Sequence, residues 1–571
     1  MNVRSAFCEE LKATLLAKAE QVVLLVVTGP NFETPHEFTG ASLLQRAKDL
    51  ASQFSTGERA VVLVLLPHSP ELFLLQLGLV LTGRIPAILA WPTSRVDADK
   101  YQRNLVHQLR SLPADMLVTL PRLAENLADA LPYPVAGLAV ENVASFERVF
   151  PTGAVSTQLG RMEKASAEAK AGDDVLFLQF SGGTTGAQKA IVVSAPMLEA
   201  QLKRLGEPLR FTGDDCVASW LPLYHDMGLI ACYWLPLWHG ASSVQIGAND
   251  WVMNPELFLS YIERTRATFC WVPNFAFSYL SQRRELMRRA HNLGSVRAWI
   301  NCSEPVRARS MNEFAERFGD WGVKKESLQT SYAMAETVFA ISQSESGKEL
   351  PTAERAAVNR GRQNYSELAF DLIDDVYVSS GKPLVDTEVK IVARDGSICG
   401  EEVAGEIHVR TPSLFSGYWG TEGFQTHTLT DGWHGTGDYG FLKGGDVFVI
   451  GRFKDIVIVG GNNIFPEDVE CVVNAIDGVY PGRVVAFGVE DKDYGTQSLA
   501  VVAETKGEAR ENTTSRLEAE IRKSVLTNIG IAPRYVAVVP ERWIVKSTAG
   551  KISRRETRER FLREKFTAVV S

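Results

Sequence analysis

The stretch that decides the fold runs from Val175 to Ser194 and reads VLFLQF-SGGTTGAQK-AIVVS. Two β-rich runs flank a segment of glycines and hydroxyl residues, which predicts two strands joined by a loop. Three glycines let backbone amides converge on an anion, while the hydroxyls and one lysine add donors and positive charge. We therefore interpret the loop as a phosphate cradle, with a plain turn as the alternative. Its candidate phosphate-binding residues are Ser181, Gly182, Gly183, Thr184, Thr185, Gly186 and Lys189.

The residues after this loop exclude one common phosphate site. A Walker-type loop requires a helix directly after its Gly-Lys-Ser/Thr. Here the segment Ala190–Ser194 is rich in β-branched residues, which predicts a second strand. The loop is therefore not expected to be that of a P-loop NTPase.

Upstream of the loop, short β-rich runs alternate with amphipathic stretches. Val61–Leu66 precedes a helix predicted over Pro70–Thr82, with Ser69 as its cap, and Ile85–Leu89 follows as a strand. Strand, helix and strand at this spacing predict βαβ units and a parallel sheet. The fold class expected is α/β.

Downstream of the loop, the pattern changes twice. Glycine, aspartate and β-branched residues dominate from about 376 to 450, which predicts a small antiparallel β subdomain. After Gly451 a mixed α/β pattern returns. We expect an N-terminal domain over 1–451, a hinge at 452–455 and a C-terminal domain over 456–571.

Composition and charge narrow the function classes. The chain has 571 residues, 45% hydrophobic and 22% charged, with a net charge of −8. This amino-acid composition is typical of a globular protein. Because the net charge is negative, no overall positive potential would attract the chain to nucleic acid. The apolar run Met227–Trp238 is interrupted by Pro236 and is shorter than the ~20 residues of a membrane span, so none is expected.

The seven cysteines are scattered, and no Cys-x-x-Cys pair occurs among them. This spacing favours buried thiols in a reducing compartment over a zinc site or a disulfide framework. The N-terminus has no apolar core of the signal-peptide type, so a cytoplasmic location is expected.

Further segments follow the phosphate loop in a fixed order: Leu221–Ile230 (LPLYHDMGLI), Ser331–Glu336 (SYAMAE), Gly405–Ile407, Gly417–Trp419, Thr436–Asp438, Gly451–Asp455 (GRFKD) and Ser547–Lys551 (STAGK). They resemble the core motifs of the adenylate-forming superfamily, which contains acyl-CoA synthetases, peptide-synthetase adenylation domains and luciferases. The resemblance covers nearly the whole chain. It implies a large N-terminal domain of two α/β layers plus a β subdomain, and a small α+β C-terminal lid domain.

The closest resemblance is to the fatty acyl-AMP ligases, carried by the segments His225–Ile230, Arg266–Thr268, Pro273–Ala276 and Glu304–Arg307. The 45 positions between Glu336 and Gly381 also exceed the spacing expected in acyl-CoA synthetases. In acyl-AMP ligases an insertion at this place, here roughly Ser344–Asp375, is thought to hinder the domain arrangement that admits coenzyme A. The resemblance therefore implies transfer of the acyl group to an acyl carrier protein supplied in trans.

The resemblance assigns catalytic and metal-binding roles residue by residue. Lys551 would bridge the carboxylate and the α-phosphate, where it offsets the repulsion of two anions. His225 would border the acyl carboxylate. Glu336 and Thr184 would hold Mg²⁺ through hard oxygen ligands. For each of these residues an ordinary structural or surface role is the alternative.

The nucleotide contacts are assigned in the same way. Tyr332 would stack on adenine, and Ser303, Glu304 and Pro305 would form the other wall of that slot. Asp438 would accept the ribose hydroxyls, Arg452 would contact ribose or phosphate, and Lys454 would sit at the hinge. The aromatic residues Trp234, Trp238, Trp271 and Phe277 either line an acyl tunnel or belong to the core.

The leading hypothesis is an ATP- and Mg²⁺-dependent ligase that forms an acyl adenylate from a carboxylic acid, expected to be a fatty acid. An acyl-CoA synthetase is the second hypothesis. An amino-acid adenylation domain is less favoured, because Ile230–Trp238 and Phe269–Tyr279 offer no carboxylate for an ammonium group. A degenerate nucleotide-binding protein is the alternative from another class, because Gln188, Ala190 and Ala333 replace the Pro, Gly and Gly usual in the family.

The segment Lys551–Lys565 holds seven basic and three acidic residues. We expect a solvated helix face, with a docking face for an acidic carrier protein as the alternative.

Overall fold

The computed structural model describes residues 2–29, 32, 34–92, 98–140, 172–181, 189–358, 373–420, 423–427, 429–460, 462–491, 496–507, 511–546 and 552–564. The helices that precede the C-terminal region are α1 (Val3–Ala17), α2 (Gly40–Ser52), α3 (Pro70–Leu81), α4 (Ala98–Ser111), α5 (Pro121–Leu127), α6 (Ala195–Leu209), α7 (Leu235–His239), α8 (Ala248–Met253), α9 (Pro255–Thr265), α10 (Asn274–Arg283) and α11 (Ala308–Phe318). Among all the described residues, no helix is long and apolar enough to cross a membrane.

The larger of two big sheets has nine strands, most of them parallel. It contains β1 (Val22–Val27), β2 (His36–Thr39), β9 (Cys216–Ser219), β10 (Ser242–Ile246), β11 (Phe269–Val272), β12 (Ala298–Asn301), β13 (Leu328–Ala333), β14 (Ala340–Gln343) and β17 (Lys382–Pro383). The order across the sheet is β17-β14-β13-β12-β11-β9-β10-β1-β2. Strands β14, β17 and β2 run antiparallel to their neighbours at the two edges.

The second big sheet has eight strands and carries the loop that decided the fold. It contains β3 (Val61–Leu65), β4 (Ile85–Ile88), β5 (Met116–Thr119), β6 (Val135–Gly137), β7 (Val175–Phe180), β8 (Ala190–Ser194), β20 (Gly417–Gly420) and β21 (Gly423–Thr426). The order is β21-β20-β8-β7-β4-β3-β5-β6. The two strands predicted on either side of the loop are present as β7 and β8, and they are antiparallel neighbours.

Strand β3 shows how the layers are held together. Val62 and Val64 belong to the main core, which also contains residues of the nine-stranded sheet, whereas Leu63 belongs to a second core with residues of α4 and α5. Successive side chains of a strand point to opposite faces, so this strand is buried on both sides. The predicted cap is also present, since the amide of Leu72 donates to Ser69 Oγ at 3.3 Å at the start of α3.

An antiparallel sheet of four strands occupies the predicted β subdomain. Its strands are β18 (Glu388–Val392), β19 (Gly405–Arg410), β22 (His434–Lys443) and β23 (Asp446–Arg452), hydrogen-bonded in that order. The short strands β15 (Thr352–Glu354) and β16 (Val376–Val378) form a separate pair.

The C-terminal region has its own sheet. The hairpin β24 (Val457–Val459) and β25 (Asn462–Ile464) precedes the three strands β26 (Val479–Asp491), β27 (Thr496–Thr505) and β28 (Tyr535–Val539), with the helices α12 (Pro466–Asn474), α13 (Glu511–Ile529) and α14 (Arg554–Glu564). The expected α/β fold, with a large N-terminal domain and a small C-terminal one, is confirmed. The boundary at 452–455 remains a prediction.

Candidate active site

The two ends of the predicted phosphate loop lie side by side. The amide of Ser181 donates to the carbonyl oxygen of Lys189 at 3.1 Å, and the amide of Lys189 lies 3.3 Å from Ser181 Oγ. The candidates between them, Gly182, Gly183, Thr184, Thr185 and Gly186, lie outside the described residues. Since strand β8 follows Lys189 directly, the loop connects two strands and no helix begins after it.

The side chain of Lys189 is exposed and lies over an aromatic ring. Its Nζ is 4.5 Å from the centre of the Tyr418 ring. Tyr418 lies on β20, which pairs with β8. A cation over an aromatic face gains electrostatic attraction and still leaves its other donors available. The side chain of the predicted phosphate-binding lysine is therefore held beside β20.

Glu336 occupies a short turn, Ala335–Thr337, that strand β7 holds in place. The side-chain amide of Gln179 donates to the carbonyl oxygens of Ala335 at 2.8 Å and of Val338 at 2.9 Å. The amide of Phe415 donates to the backbone oxygen of Glu336 at 2.7 Å. These bonds bring Glu336 to the end of the strand that opens the phosphate loop.

Burial raises the pKa of Glu336, and the negative charges of Asp226 and Asp438 add to the shift, while Arg452 opposes it. An excess of carboxylate charge in one place favours a cation, and oxygen ligands suit Mg²⁺. Glu336 therefore fits the predicted metal role; Thr184 lies outside the described residues. Within the described ranges, no three His, Cys, Asp or Glu side chains are arranged to hold a metal ion.

Asp438 is the centre of a buried polar group. It follows Thr436 and Gly437 within β22, so the predicted Thr-Gly turn is not present; Gly437 has a φ of +72°, a value that favours glycine. Its carboxylate accepts a hydrogen bond from the Tyr332 hydroxyl at 2.6 Å and pairs with Arg452 Nε at 2.9 Å. The structure thus joins three predicted nucleotide residues, of which Tyr332 is 106 residues from Asp438 in the sequence.

The electrostatics of this group follow from its burial. The Asp438 side chain is 10% exposed, whereas that of Arg452 is 49% exposed. Burial raises the pKa of Asp438, and Arg452 opposes this shift. The carboxylate in turn raises the pKa of Arg452, so this guanidinium stays cationic. A charged donor therefore remains accessible next to a fixed carboxylate.

The four residues of the predicted adenine slot have different surroundings. The Tyr332 ring is 7% exposed and packs among apolar side chains that include Ile341, Ile391 and Ile407. The Glu304 carboxylate accepts from the amide of Phe275 at 2.9 Å, in the first turn of α10. A carboxylate there favours the helix electrostatically. Ser303 has a φ of +73°, and Pro305 is half-buried. Adenine stacking by Tyr332 stays a prediction, and the contact of Glu304 with α10 was not predicted.

A π-helix that the sequence did not predict begins two residues after His225. Met227–Trp234 forms a π-helix, all of whose residues are buried, and Asp226 accepts from the amide of Met227 at 2.8 Å. The His225 ring lies 4.8 Å from that of Tyr224. π-Helical segments are rare and occur frequently at functional sites. Because the apolar run has no distinguishing periodicity, only its burial could be predicted.

The aromatic residues proposed for an acyl tunnel are all buried. Trp234 stacks on Phe177 with ring centres 5.8 Å apart, and Trp238 stacks on Phe7 at 4.8 Å. Trp271 and Phe277 are at most 1% exposed. These contacts favour a core role for Trp234 and Trp238.

The hinge candidate Lys454 is exposed and lies in the short helical turn Phe453–Asp455. Lys551, the predicted catalytic cation, lies outside the described residues. Three residues later in the chain, Arg554 opens α14 and donates to Asp455 at 2.6 Å. In the sequence analysis Arg554 was only one of the seven basic residues of Lys551–Lys565, and its contact with Asp455 was not predicted.

Other arginines of α14 are engaged within the chain. Arg555 pairs with Glu559 at 2.9 Å and Arg560 with Glu564 at 3.1 Å. Arg558 donates to the carbonyl oxygen of Gly488 at 2.9 Å. These contacts favour the solvated helix face over the docking face.

The segment singled out as an insertion contacts the C-terminal region. Arg355 donates to both carboxylate oxygens of Asp468, on α12, at 2.9 and 3.1 Å, and the two side chains are 4% and 3% exposed. Ile373, at the far end of the segment, is fully buried in the C-terminal core. Residues 359–372 lie outside the described residues. The length of the segment was visible in the sequence, but these long-range partners were not.

Comparison with known proteins places this site in context. The profile of the AMP-binding enzyme family matches residues 18–419. A protein of Mycobacterium tuberculosis, the candidate ligase Rv1013, is 28% identical over 549 residues, which cover 93% of this chain and 95% of that protein. The medium-chain-fatty-acid–[acyl-carrier-protein] ligase JamA of Moorena producens is 29% identical over 405 residues, which cover 68% of each chain.

The fold is shared with a solved structure from a study of fatty acyl-adenylate ligases from E. coli and L. pneumophila. The TM-score is 0.77 at 22% sequence identity, and 98% of each chain is covered.

Proposed function

Because this chain belongs to the AMP-binding enzyme family and is an adenylate-forming ligase, we propose that it activates a fatty acid with ATP and passes the acyl group to a carrier-protein thiol. In the first step a carboxylate oxygen attacks the α-phosphorus of ATP, and pyrophosphate leaves. In the second step the thiol sulfur, having lost its proton, attacks the acyl carbon. AMP then leaves with the electron pair of the broken bond.

The observation that carries the first step is the assembly of Tyr332, Asp438 and Arg452 near Glu336. A fixed, buried carboxylate can accept the two ribose hydroxyls, since Tyr332 and Arg452 hold it in one orientation. Arg452, which is half exposed, then offers its remaining donors to the nucleotide. The charges of Asp438 and Arg452 also act on Glu336, which supports a sugar site close to the proposed metal site.

Charge repulsion is the main obstacle to the first step. Two like charges ~4 Å apart repel by about 4 kcal/mol at an effective dielectric of 20. Lys189 and Lys551 are the proposed cations for phosphate and for the reacting carboxylate. Mg²⁺, where Glu336 and Thr184 would hold it, would offset phosphate charge. His225 would orient the incoming acid.

The choice of acceptor rests on the insertion segment. The ion pair of Arg355 with Asp468 and the buried Ile373 connect this segment to the C-terminal region. A large reorientation of the C-terminal region would separate this buried ion pair and expose the apolar side chain of Ile373 to water. These contacts therefore oppose a large reorientation of the C-terminal region, which supports a carrier protein over coenzyme A. The name of the relative JamA agrees with a carrier acceptor.

The test supplies the protein with ATP, Mg²⁺ and a panel of carboxylic acids of increasing chain length. Mass spectrometry quantifies acyl-AMP without an acceptor, with coenzyme A, and with a carrier protein that bears its phosphopantetheine arm. We expect acyl-AMP to accumulate alone and to be consumed by the carrier. The same carrier without its arm is the control. Rapid formation of acyl-CoA would identify an acyl-CoA synthetase instead, and absence of acyl-AMP with every acid would favour the degenerate nucleotide-binding protein.

A further inference from the structure

Arg554 is surrounded by three carboxylates. Its guanidinium donates to Asp455 at 2.6 Å, to Glu470 at 2.8 Å and to Glu467 at 3.2 Å, while its Nε donates to the carbonyl oxygen of Ala486 at 2.9 Å. The arginine side chain is 17% exposed. Arginine presents its donors in a rigid planar fork, so partners on several sides fix its position.

These partners belong to three different elements. Asp455 lies in the turn that contains the hinge candidate Lys454, Glu467 and Glu470 lie on α12, and Ala486 lies on β26. Arg554 is the first residue of α14. One side chain therefore ties the start of the last helix to the hinge turn, to a helix and to a sheet.

Two of the three carboxylates, those of Glu467 and Glu470, also contact other parts of the chain. Glu470 also accepts from the amide of Ala486 at 2.9 Å. Glu467 approaches Gly451, whose position would bring an added Cβ within 3.2 Å of Glu467 Oε2. The cluster is thus continuous with β23, the strand that carries Arg452. The cluster therefore connects β23, which carries the proposed nucleotide residue Arg452, to the start of α14.

We propose that Arg554 is a positioning residue for adenylation, because it fixes the point from which the segment bearing Lys551 leaves α14. This inference rests on the role of Lys551 in the proposed function. Lys551 precedes Arg554 by three residues, and three residues of backbone span at most ~11 Å. An anchor this close restricts the region that the lysine ammonium reaches, and small displacements of a reacting group cost rate steeply.

Arg558 provides a matched control. It lies one turn further along the same helix, and its Nε donates to the carbonyl oxygen of Gly488 on the same strand, also at 2.9 Å. The change Arg558→Ala therefore removes a similar backbone contact of the same helix without touching the contacts to Asp455, Glu467 and Glu470.

The test compares Arg554→Ala, Arg554→Lys and Arg558→Ala in the full-length enzyme. Two half-reactions are measured: pyrophosphate release from ATP and acid, and transfer from supplied acyl-AMP to the carrier protein. We expect Arg554→Ala to lower the kcat of adenylation roughly ten- to hundredfold, with a much smaller change in the KM for ATP and in the transfer rate. Arg554→Lys should recover part of the loss, and Arg558→Ala should stay near wild type.

Hydrogen exchange of Ile552–Glu564 gives a readout independent of activity. Arg554→Ala should raise exchange at the start of α14 more than Arg558→Ala does. A folded Arg554→Ala variant with wild-type adenylation, or with equal losses in both half-reactions, would overturn the inference. Hydrogen exchange at the start of α14 that is unchanged in Arg554→Ala would also overturn the inference. Absence of acyl-AMP from the wild type would instead remove the proposed function and, with it, the role assigned to Arg554.

Discussion

The hydroxyl of Tyr332 donates to the carboxylate of Asp438 at 2.6 Å, across two different sheets. Tyr332 lies on β13 of the nine-stranded sheet, and Asp438 lies on β22 of the four-stranded one. Because Arg452 pairs with the other carboxylate oxygen, the orientation of Asp438 is set from both sides. The proposed ribose site therefore depends on the contact between the β subdomain and the larger sheet.

Replacement of Asp438 should weaken ATP binding selectively. Asp438→Ala removes the ribose acceptor and leaves Arg452 without its carboxylate, so the KM for ATP should rise roughly tenfold or more. The KM for the acid should change little. Tyr332→Phe keeps the carboxylate and loses one hydrogen bond, so its effect should be smaller. Pyrophosphate release measured against ATP concentration checks both variants, and an unchanged KM for ATP in Asp438→Ala contradicts the assignment.

Glu336→Gln should raise the Mg²⁺ requirement. The substitution keeps the size of the side chain and the turn that Gln179 supports, but it removes the charge that attracts the cation. We expect the Mg²⁺ concentration for half-maximal activity to rise roughly tenfold or more. Glu313→Gln is the control, because that carboxylate lies on the surface of α11, where it pairs with Arg317. A Mg²⁺ titration in which the two variants behave alike would remove Glu336 from the metal site.

Removal of the buried ion pair should change the acceptor. In the double variant Arg355→Ala, Asp468→Ala the buried contact between the segment and α12 is lost, and neither side chain of the pair is left as an unpaired charge. We expect acyl-CoA formation to rise roughly tenfold while adenylation stays near wild type. Arg210→Met is the control, since it breaks an exposed pair with Glu345 at the other end of the same segment. If coenzyme A is used no faster by a stable double variant, this ion pair does not select the acceptor.

Acid should destabilise the fold through His68. Burial lowers the pKa of His68 to about 4, against about 6.5 in an unfolded chain. The unfolded state then binds more protons in this window, so stability is lost as the pH falls from about 6.5 towards 4. The loss from this residue between about pH 7 and pH 5 is about 2 kcal/mol at most. His68→Gln should reduce the pH dependence of urea unfolding. Equal pH dependence in wild type and His68→Gln would contradict this.

Local signals in the sequence predicted elements well. Ser69 with Pro70 marked the start of α3, and the strand predicted over Val61–Leu66 is present as Val61–Leu65. Such features depend on capping, proline geometry and β-branched runs, all of which act over a few residues. The loop between β7 and β8 was predicted for the same reason.

The contacts that organise the site could not be predicted in this way. The partners Arg355 and Asp468 are 113 residues apart, and Arg554 and Asp455 are 99 residues apart. Which charged residue meets which depends on packing of whole domains, and periodicity carries no such information. The π-helix after Asp226 was missed because its residues are apolar all round.

The most direct measurement follows oxygen from the acid to AMP. Wild-type protein is given ATP, the carrier protein and a fatty acid labelled with oxygen-18 in its carboxylate, and the AMP is analysed by mass spectrometry. If the carboxylate attacks the α-phosphorus, the AMP carries one oxygen-18 atom. Lys551→Ala should form AMP at least roughly a hundredfold more slowly. Unlabelled AMP, or labelled AMP formed at the wild-type rate by Lys551→Ala, would contradict the account.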